Sequence, residues 1–374
     1  MEASDPRRGA MITDQDVREA LHRALDPSIG KPLDELGAVE ALEVEADRVR
    51  VSLRVPIPGT DAEVRRSAEE ALAPLGADVE VRVGEMSSEQ RAEMVRMLRR
   101  GKSREETVFF SEGPTEVIAV ASGKGGVGKT SVTANVAAAL AAEGQRVGIL
   151  DADVWGFSIP RMMGVGGQPS GTSDMIIPPQ AHGVKIISMG FFVSDETPVI
   201  WRGPMLHKAI QQFLGDVYWG ELDALFVDLP PGTGDVSISL ASFLPRGEML
   251  VVTTPQEAAA KVAERAGRMA QNPNIDLEVL GVVENMAGFV CPHCGEITPL
   301  FGEGGGARTA EGLGVPLLGS VPIQVSLRVG SDEGTPIVVS EPDSPAASAF
   351  RAIAAELGSR IRSPRGKPLS LREA

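Results

Sequence analysis

The sequence predicts an α/β protein: a mostly parallel sheet flanked by helices, preceded by a small α+β domain. Three observations predict it. Before about residue 85 the apolar residues alternate or recur at helical spacing. From residue 114 they come instead as short continuous runs separated by helical stretches. Directly after the first such run stands GKGGVGKTS, Gly123 to Ser131, which fits G-x-x-x-x-G-K-[ST].

Residues 12–85 form the small α+β domain. In ITDQDVREALHRAL, Thr13 caps a helix with Asp16 three residues on, and Val17, Leu21 and Leu25 lie along one helical face. In RVRVSLRV (48–55), Val49, Val51, Leu53 and Val55 alternate with Arg48, Arg50 and Arg54, the pattern of a half-buried strand. A second helix runs through Val64, Ala68, Ala71, Leu72 and Leu75, and DVEVRV (78–83) alternates again. The expected order is helix, strand, strand, helix, strand.

Residues 86–113 read as a linker, a charged helix and a loop, with Met94, Val95 and Leu98 resting on one of the two domains. Residues 1–11 and 365–374 read as disordered tails. Between them, 114–364 carries EVIAVAS, RVGILDAD, VKIISMG, ALFVDLP, EMLVVTT and LEVLGVV. Continuous apolar runs suit strands covered on both faces, with helices as crossovers.

Composition narrows the function. A formal charge of −15 argues against a general nucleic-acid binder, because phosphate contacts need surplus Lys and Arg. The one basic cluster, RMLRRGKSR (96–104), reads as a solvated linker face. No apolar run reaches the roughly 20 residues of a membrane span, and the first residues lack a secretory leader's apolar stretch. Two close cysteines in such a chain suggest a reducing cytoplasm. The expectation is a cytoplasmic protein with neither nucleic-acid nor membrane partners.

The loop Gly123, Lys124, Gly125, Gly126, Val127, Gly128, Lys129, Thr130 and Ser131 lies between a strand and the helix TSVTANVAAALAAEG. Its glycines let backbone amides approach phosphate oxygens. Lys129 can reach the β- and γ-phosphates, and Thr130 can ligate Mg²⁺. This is the loop of a P-loop NTPase, with ATP the expected ligand. Acids stand where such a site wants them: Asp151 and Asp153 after one strand, and Asp228 after another, a candidate for the aspartate behind Mg²⁺. Pro230, Pro231 and Gly232 then open a loop able to sense the γ-phosphate.

The extra lysine, Lys124, makes the loop resemble the deviant P-loop ATPases, the MinD-like group. That resemblance implies that Lys124 crosses a dimer interface to the partner's nucleotide, that Asp153 orients the attacking water, and that Asp151 lies near Mg²⁺. It also likens Asn285, in GVVENMAG, to a base-contacting asparagine. The expected catalytic residues are therefore Lys124, Lys129, Asp153 and Asp228.

Cys291 and Cys294, in GFVCPHCGE, are the only cysteines, half of what a tetrahedral zinc or an iron–sulfur cubane needs. A homodimer would supply each ligand twice, enough for one [4Fe–4S] cluster or one zinc. His293 between them reads as a loop residue, because three adjacent ligands crowd one metal. His22, His182 and His207 have no ligand-like spacing.

With VIWRGPM (199–205), DLPPGTGD (228–235), VVTTPQEAA (251–259) and FGEGGGARTAEGLGVPLLGSVP (301–322), the chain resembles the Mrp-type (ApbC/Nbp) iron–sulfur cluster carrier ATPases from about 114 to 345. Residues 12–85 resemble the small iron–sulfur-assembly domain often fused ahead of them, although Thr60 stands where that domain often has a cysteine. The resemblance implies an ATP-hydrolysing carrier that binds a [4Fe–4S] cluster across a homodimer through Cys291 and Cys294. Its partners would be apo iron–sulfur client proteins and a cluster scaffold. Switch-loop motion after Asp228 would be relayed to the cysteines. The alternatives are a MinD/ParA-like partitioning ATPase, which has no use for CPHC, and a targeting ATPase whose dimer is stapled by structural zinc.

Overall fold

The computed structural model describes residues 12–45, 48–99, 115–153, 156–172, 175–192, 203–232, 244, 247–272, 275 and 277–361. The expected tails, the loop part of the linker, Trp201, Arg202 and the switch loop beyond Gly232 lie outside them. The chain divides into two compact units. One comprises Met1–Thr107 with Ser170–Ile177 and Asp216–Gly220, and the other comprises the remainder.

The first unit contains α1 (Asp14–Leu21), β1 (Val39–Glu45), β2 (Arg48–Val55), α2 (Asp61–Leu72), β3 (Asp78–Glu85) and α3 (Ser88–Leu98). This is the helix, strand, strand, helix, strand order read from the sequence, with a further helix. Thr13 and Asp16 form the expected capping box, and Ser87 with Gln90 forms another ahead of α3. β2 is central, antiparallel to β1 and parallel to β3. Val49, Val51, Leu53 and Val55 face the core with Val17, Leu21, Val64 and Leu72, while the arginines of β2 pair with Asp78, Glu43 and Glu40 on the wet face. Such exposed pairs add little stability.

Met94 and Val95 of α3 are buried in this same core. So are Met175 and Ile177, from the hairpin β6 (Ser170–Thr172) and β7 (Met175–Ile177), and Tyr218. The Tyr218 amide donates to Ile176 O at 2.8 Å. Nothing in the apolar pattern of 170–220 announces that these side chains complete a core begun more than seventy residues earlier.

In the second unit, β4 (Glu116–Ser122), β5 (Val147–Asp151), β8 (Gln180–Ala181), β9 (Val184–Ser188), β10 (Ala224–Asp228), β11 (Gly247–Thr253), β12 (Glu278–Val290), β13 (Ile297–Thr298) and β14 (Leu317–Ile323) make one sheet. Its order is β13-β12-β11-β4-β10-β5-β9-β8, with β14 on β12. Every pairing is parallel except those of β8 and β13. All residues of β5 and β10 are buried, as their unbroken apolar runs require.

The helices are α4 (Lys129–Ala142), the short α5 (Ile159–Met162), α6 (Gly203–Asp216), α7 (Glu257–Ala270), α8 (Gly305–Leu313), α9 (Val325–Glu333), α10 (Ile337–Ser340) and α11 (Pro345–Ile361). Val132, Val136 and Leu140 of α4 share a core with Phe350, Ile353 and Leu357 of α11. After β4 the chain places β10 and β5 to one side and β11 to the other. The crevice beyond the carboxyl end of β4 is therefore the expected ligand position in such a sheet. Among the described residues no helix is long and apolar enough to cross a membrane.

Candidate functional site

The segment Gly123–Gly128 joins β4 to α4. Gly126 and Gly128 have φ near +80°, which side-chain-bearing residues rarely adopt. Gly123 is constrained by space: an added Cβ would lie 2.5 Å from Ala263 N on α7. Gly128 is the N-cap of α4 and supplies no side-chain cap. The first amides of this 14-residue helix therefore point outward beside the loop, with the partial positive charge of the helix terminus behind them.

Lys129 is buried, with Nζ 2.6 Å from Asp228 Oδ2 and 3.9 Å from Asp153 Oδ2. It makes ion pairs but no hydrogen bond of proper geometry. Thr130 Oγ1 donates to Asp228 Oδ2 at 2.8 Å, and Thr133 Oγ1 to Asp228 Oδ1 at 2.7 Å. Asp228 and Asp151 are register partners at the ends of β10 and β5. Ser188 Oγ donates to Asp151 Oδ2 at 2.9 Å, and the Asp153 amide donates to Asp151 Oδ1 at 3.2 Å. Burial, with the nearby Asp228 charge, pushes the Asp151 carboxyl up to about 8.

The structure thus gathers Lys129, Thr130, Asp151, Asp153 and Asp228 at one place. Burial favours the protonated form of Asp151, so the buried charges are Asp153 and Asp228 against the Lys129 ammonium, and the Thr130 hydroxyl and Asp228 carboxylate present hard oxygens beside the glycine loop. Ser131 is half-buried, and its carbonyl accepts from Asn135 Nδ2. Lys124 is exposed on the loop, apart from the buried charges. Asn285 is buried, and its Nδ2 donates to Val127 O at 2.9 Å. In this arrangement its amide braces the loop itself.

Sequence reasoning missed Thr133 and Ser188. Thr133 had a signal, because it stands three residues after Thr130 on the same helical face. Ser188, at the end of the VKIIS run, becomes meaningful only once β9 lies beside β5.

The cysteines follow β12. The Cys291 amide donates to Glu296 O, and the Gly295 amide donates back to Cys291 O, each at 2.9 Å, while Gly295 takes φ +75°. This closes a tight knuckle around the CPHC segment. Backbone amides of Cys294 and His293, then the Cys294 side chain, hold the Cys291 thiol below its ordinary pKa. A sulfur that accepts amide hydrogens is a sulfur prepared to be a thiolate ligand. Among the described residues no cluster of three or more His, Cys, Asp or Glu side chains is placed to hold a metal ion. Around the knuckle, Ile297 is 58% exposed and Leu300 56%, and Phe301 is also exposed, an unusual apolar group for open surface.

Comparison with known proteins identifies the family. A family model described as a NUBPL iron-transfer P-loop NTPase matches residues 113–358, and one described as an iron–sulfur cluster assembly protein matches 14–83. An iron–sulfur cluster carrier protein of Mycobacterium tuberculosis is 47% identical over 95% of this chain and 96% of its own length. That of Bacillus subtilis is 42% identical over 84% of this chain and 89% of its own. Among solved structures, a nucleotide-binding protein of Archaeoglobus fulgidus in complex with ADP has a TM-score of 0.56 at 38% identity, covering 66% of this chain and 97% of its own. The chain belongs to the iron–sulfur cluster carrier family of P-loop NTPases.

Proposed function

We propose that this chain carries an iron–sulfur cluster and uses ATP to do so. Two copies hold one [4Fe–4S] cluster between their four cysteines, Cys291 and Cys294 of each, and release it to apo-proteins. The observation that carries this reading is the pre-shaped thiol knuckle, half a ligand set framed by exposed Ile297, Leu300 and Phe301. A second copy would complete the ligands and cover the apolar rim in one step. The mycobacterial and Bacillus relatives, whose names describe cluster carriers, support the cargo.

At the nucleotide site, the glycine loop and the start of α4 bind the phosphates, and Lys129 neutralises them. Bound Mg²⁺, held by Thr130 with Asp228 behind it, would supply charge compensation at the β- and γ-phosphates. Asp153 orients the attacking water. Lys124, exposed on the loop, reaches the partner's nucleotide and offsets charge developing in phosphoryl transfer. Lys124→Ala then leaves nucleotide affinity intact while lowering hydrolysis and cluster transfer; unchanged transfer in that variant removes the trans-lysine role.

The deciding experiment is native mass spectrometry of protein reconstituted with iron and sulfide without oxygen, beside a Cys291→Ala/Cys294→Ala control. A dimer heavier by one four-iron, four-sulfide unit, absent from the control, supports the reading. A dimer holding one zinc even after reconstitution points to a structural staple, and a metal-free species overturns the carrier role.

A further inference from the structure

β12 touches both ends of the chemistry. Asn285 on this strand holds Val127 O of the phosphate loop, and the strand ends at Val290, one residue before Cys291. Its neighbour Glu284 points the other way, because successive strand residues face opposite sides. Glu284 is buried, and its Oε1 accepts the Gly306 amide at 2.7 Å while Oε2 accepts Ser320 Oγ at 3.2 Å. Gly306 lies in the first turn of α8, where the chain returns from the cysteine loop.

The contact is made close by glycine. A Cβ on Gly306 would lie 2.5 Å from Glu284 Cβ, and one on Gly305 would lie 2.5 Å from Pro255 O. Two adjacent residues therefore grip the phosphate loop on one side and the exit of the cysteine loop on the other.

Immediately beyond them the strand runs on but becomes irregular. Met286 has φ +59°, a left-handed conformation unfavourable for a residue with a long side chain. Between Asn285 and Phe289 the register against β14 slips, four steps of β12 matching two of β14. The cysteine loop thus hangs from a firmly gripped pair of residues through a strained, irregular joint. Strain of this kind persists where surrounding contacts over-determine it, and bistable elements are built from it.

We propose that Glu284 and Asn285 are positioning residues through which nucleotide occupancy of the phosphate loop resets the cysteine knuckle, an inference that rests on the nucleotide-binding reading above. A shift of the Val127 carbonyl on phosphate binding changes what Asn285 holds, and Glu284 carries that change to α8 and the loop's exit.

The test uses the full-length, cluster-free protein. Iodoacetamide labelling of Cys291 and Cys294 is followed by mass spectrometry without nucleotide, with ADP, and with a non-hydrolysable ATP analogue, and nucleotide affinity is measured separately. In the wild type, nucleotide changes the labelling rates by about fivefold or more. Glu284→Ala abolishes that change while nucleotide affinity stays within about twofold. Glu284→Gln, which keeps an acceptor for the Gly306 amide, preserves it. Amide hydrogen exchange of wild-type residues 303–313 gives a readout independent of any variant's folding, and protection there changes with nucleotide. Bound nucleotide that leaves both cysteines and α8 unmoved overturns the node alone, as does full coupling in Glu284→Ala. Failure to bind nucleotide overturns both readings.

Discussion

Lys129 Nζ stands 2.6 Å from Asp228 Oδ2, and both side chains are closed off from solvent. Breaking one member of such a pair leaves a buried charge without its partner, which typically costs about 3–5 kcal/mol. Lys129→Ala therefore destabilises the nucleotide-free protein by about that amount, besides losing nucleotide affinity. Adding Asp228→Asn recovers part of the loss, because the second change removes the orphaned carboxylate. Urea denaturation of the two single variants and the double one measures it. Strict additivity would show that the two groups do not depend on each other.

Cys291 should alkylate at neutral pH faster than an ordinary exposed thiol, because amides of Cys294 and His293 stabilise its thiolate. The pH profile of its labelling rate, followed by mass spectrometry, has its midpoint below that of an ordinary exposed thiol measured alongside it. A midpoint at or above that of the reference thiol would mean the knuckle gives the sulfur no help.

Much of this could be read in the chain directly. The Thr13–Asp16 box, the alternation of β2, and the glycine loop between an apolar run and a helix are local signals, and the structure keeps each of them. The acids at strand ends were legible for the same reason. What the sequence hides is whatever depends on neighbours brought in from afar. Glu284 reads as one charge inside an apolar strand until Gly306 arrives to donate to it. Asn285 resembled a residue that touches a ligand, and its observed partner is the loop backbone.

Glu248 offers a pH prediction away from the site. It lies at the start of β11, in register with Glu278 of β12 and near Glu116 of β4. Burial first, then Glu116 and Glu278, push its carboxyl from 4.5 up to about 7. A folded pKa above the unfolded one means that the fold binds the proton more tightly. This contribution is complete below about 4.5 and is lost as pH rises to about 7. With the group partly open to solvent, screening reduces the effect to on the order of 1 kcal/mol. Glu248→Gln should stabilise by that order at pH 8 and not at pH 4.5, measured by urea midpoints. Equal effects at both values would refute it.

Ile177→Ala should lower the stability of the first unit by about 2–5 kcal/mol while leaving nucleotide affinity alone. The change should register as faster amide exchange in β2 and α2, whose side chains share that core. Exchange rates unchanged there would mean the hairpin is dispensable.

Met175, Ile177 and Tyr218 also set a timetable. Tyr218 follows Leu98, the last residue of α3, by about 120 residues, and ribosomes add roughly 5–20 residues each second. The amino-terminal unit therefore waits on the order of ten seconds, its strands and helices already made, for the last pieces of its own interior. During that interval the core that these three share with Val95 and Val81 is incomplete. For this protein the first unit begun is completed only after β4, β5 and β9 of the second have been made.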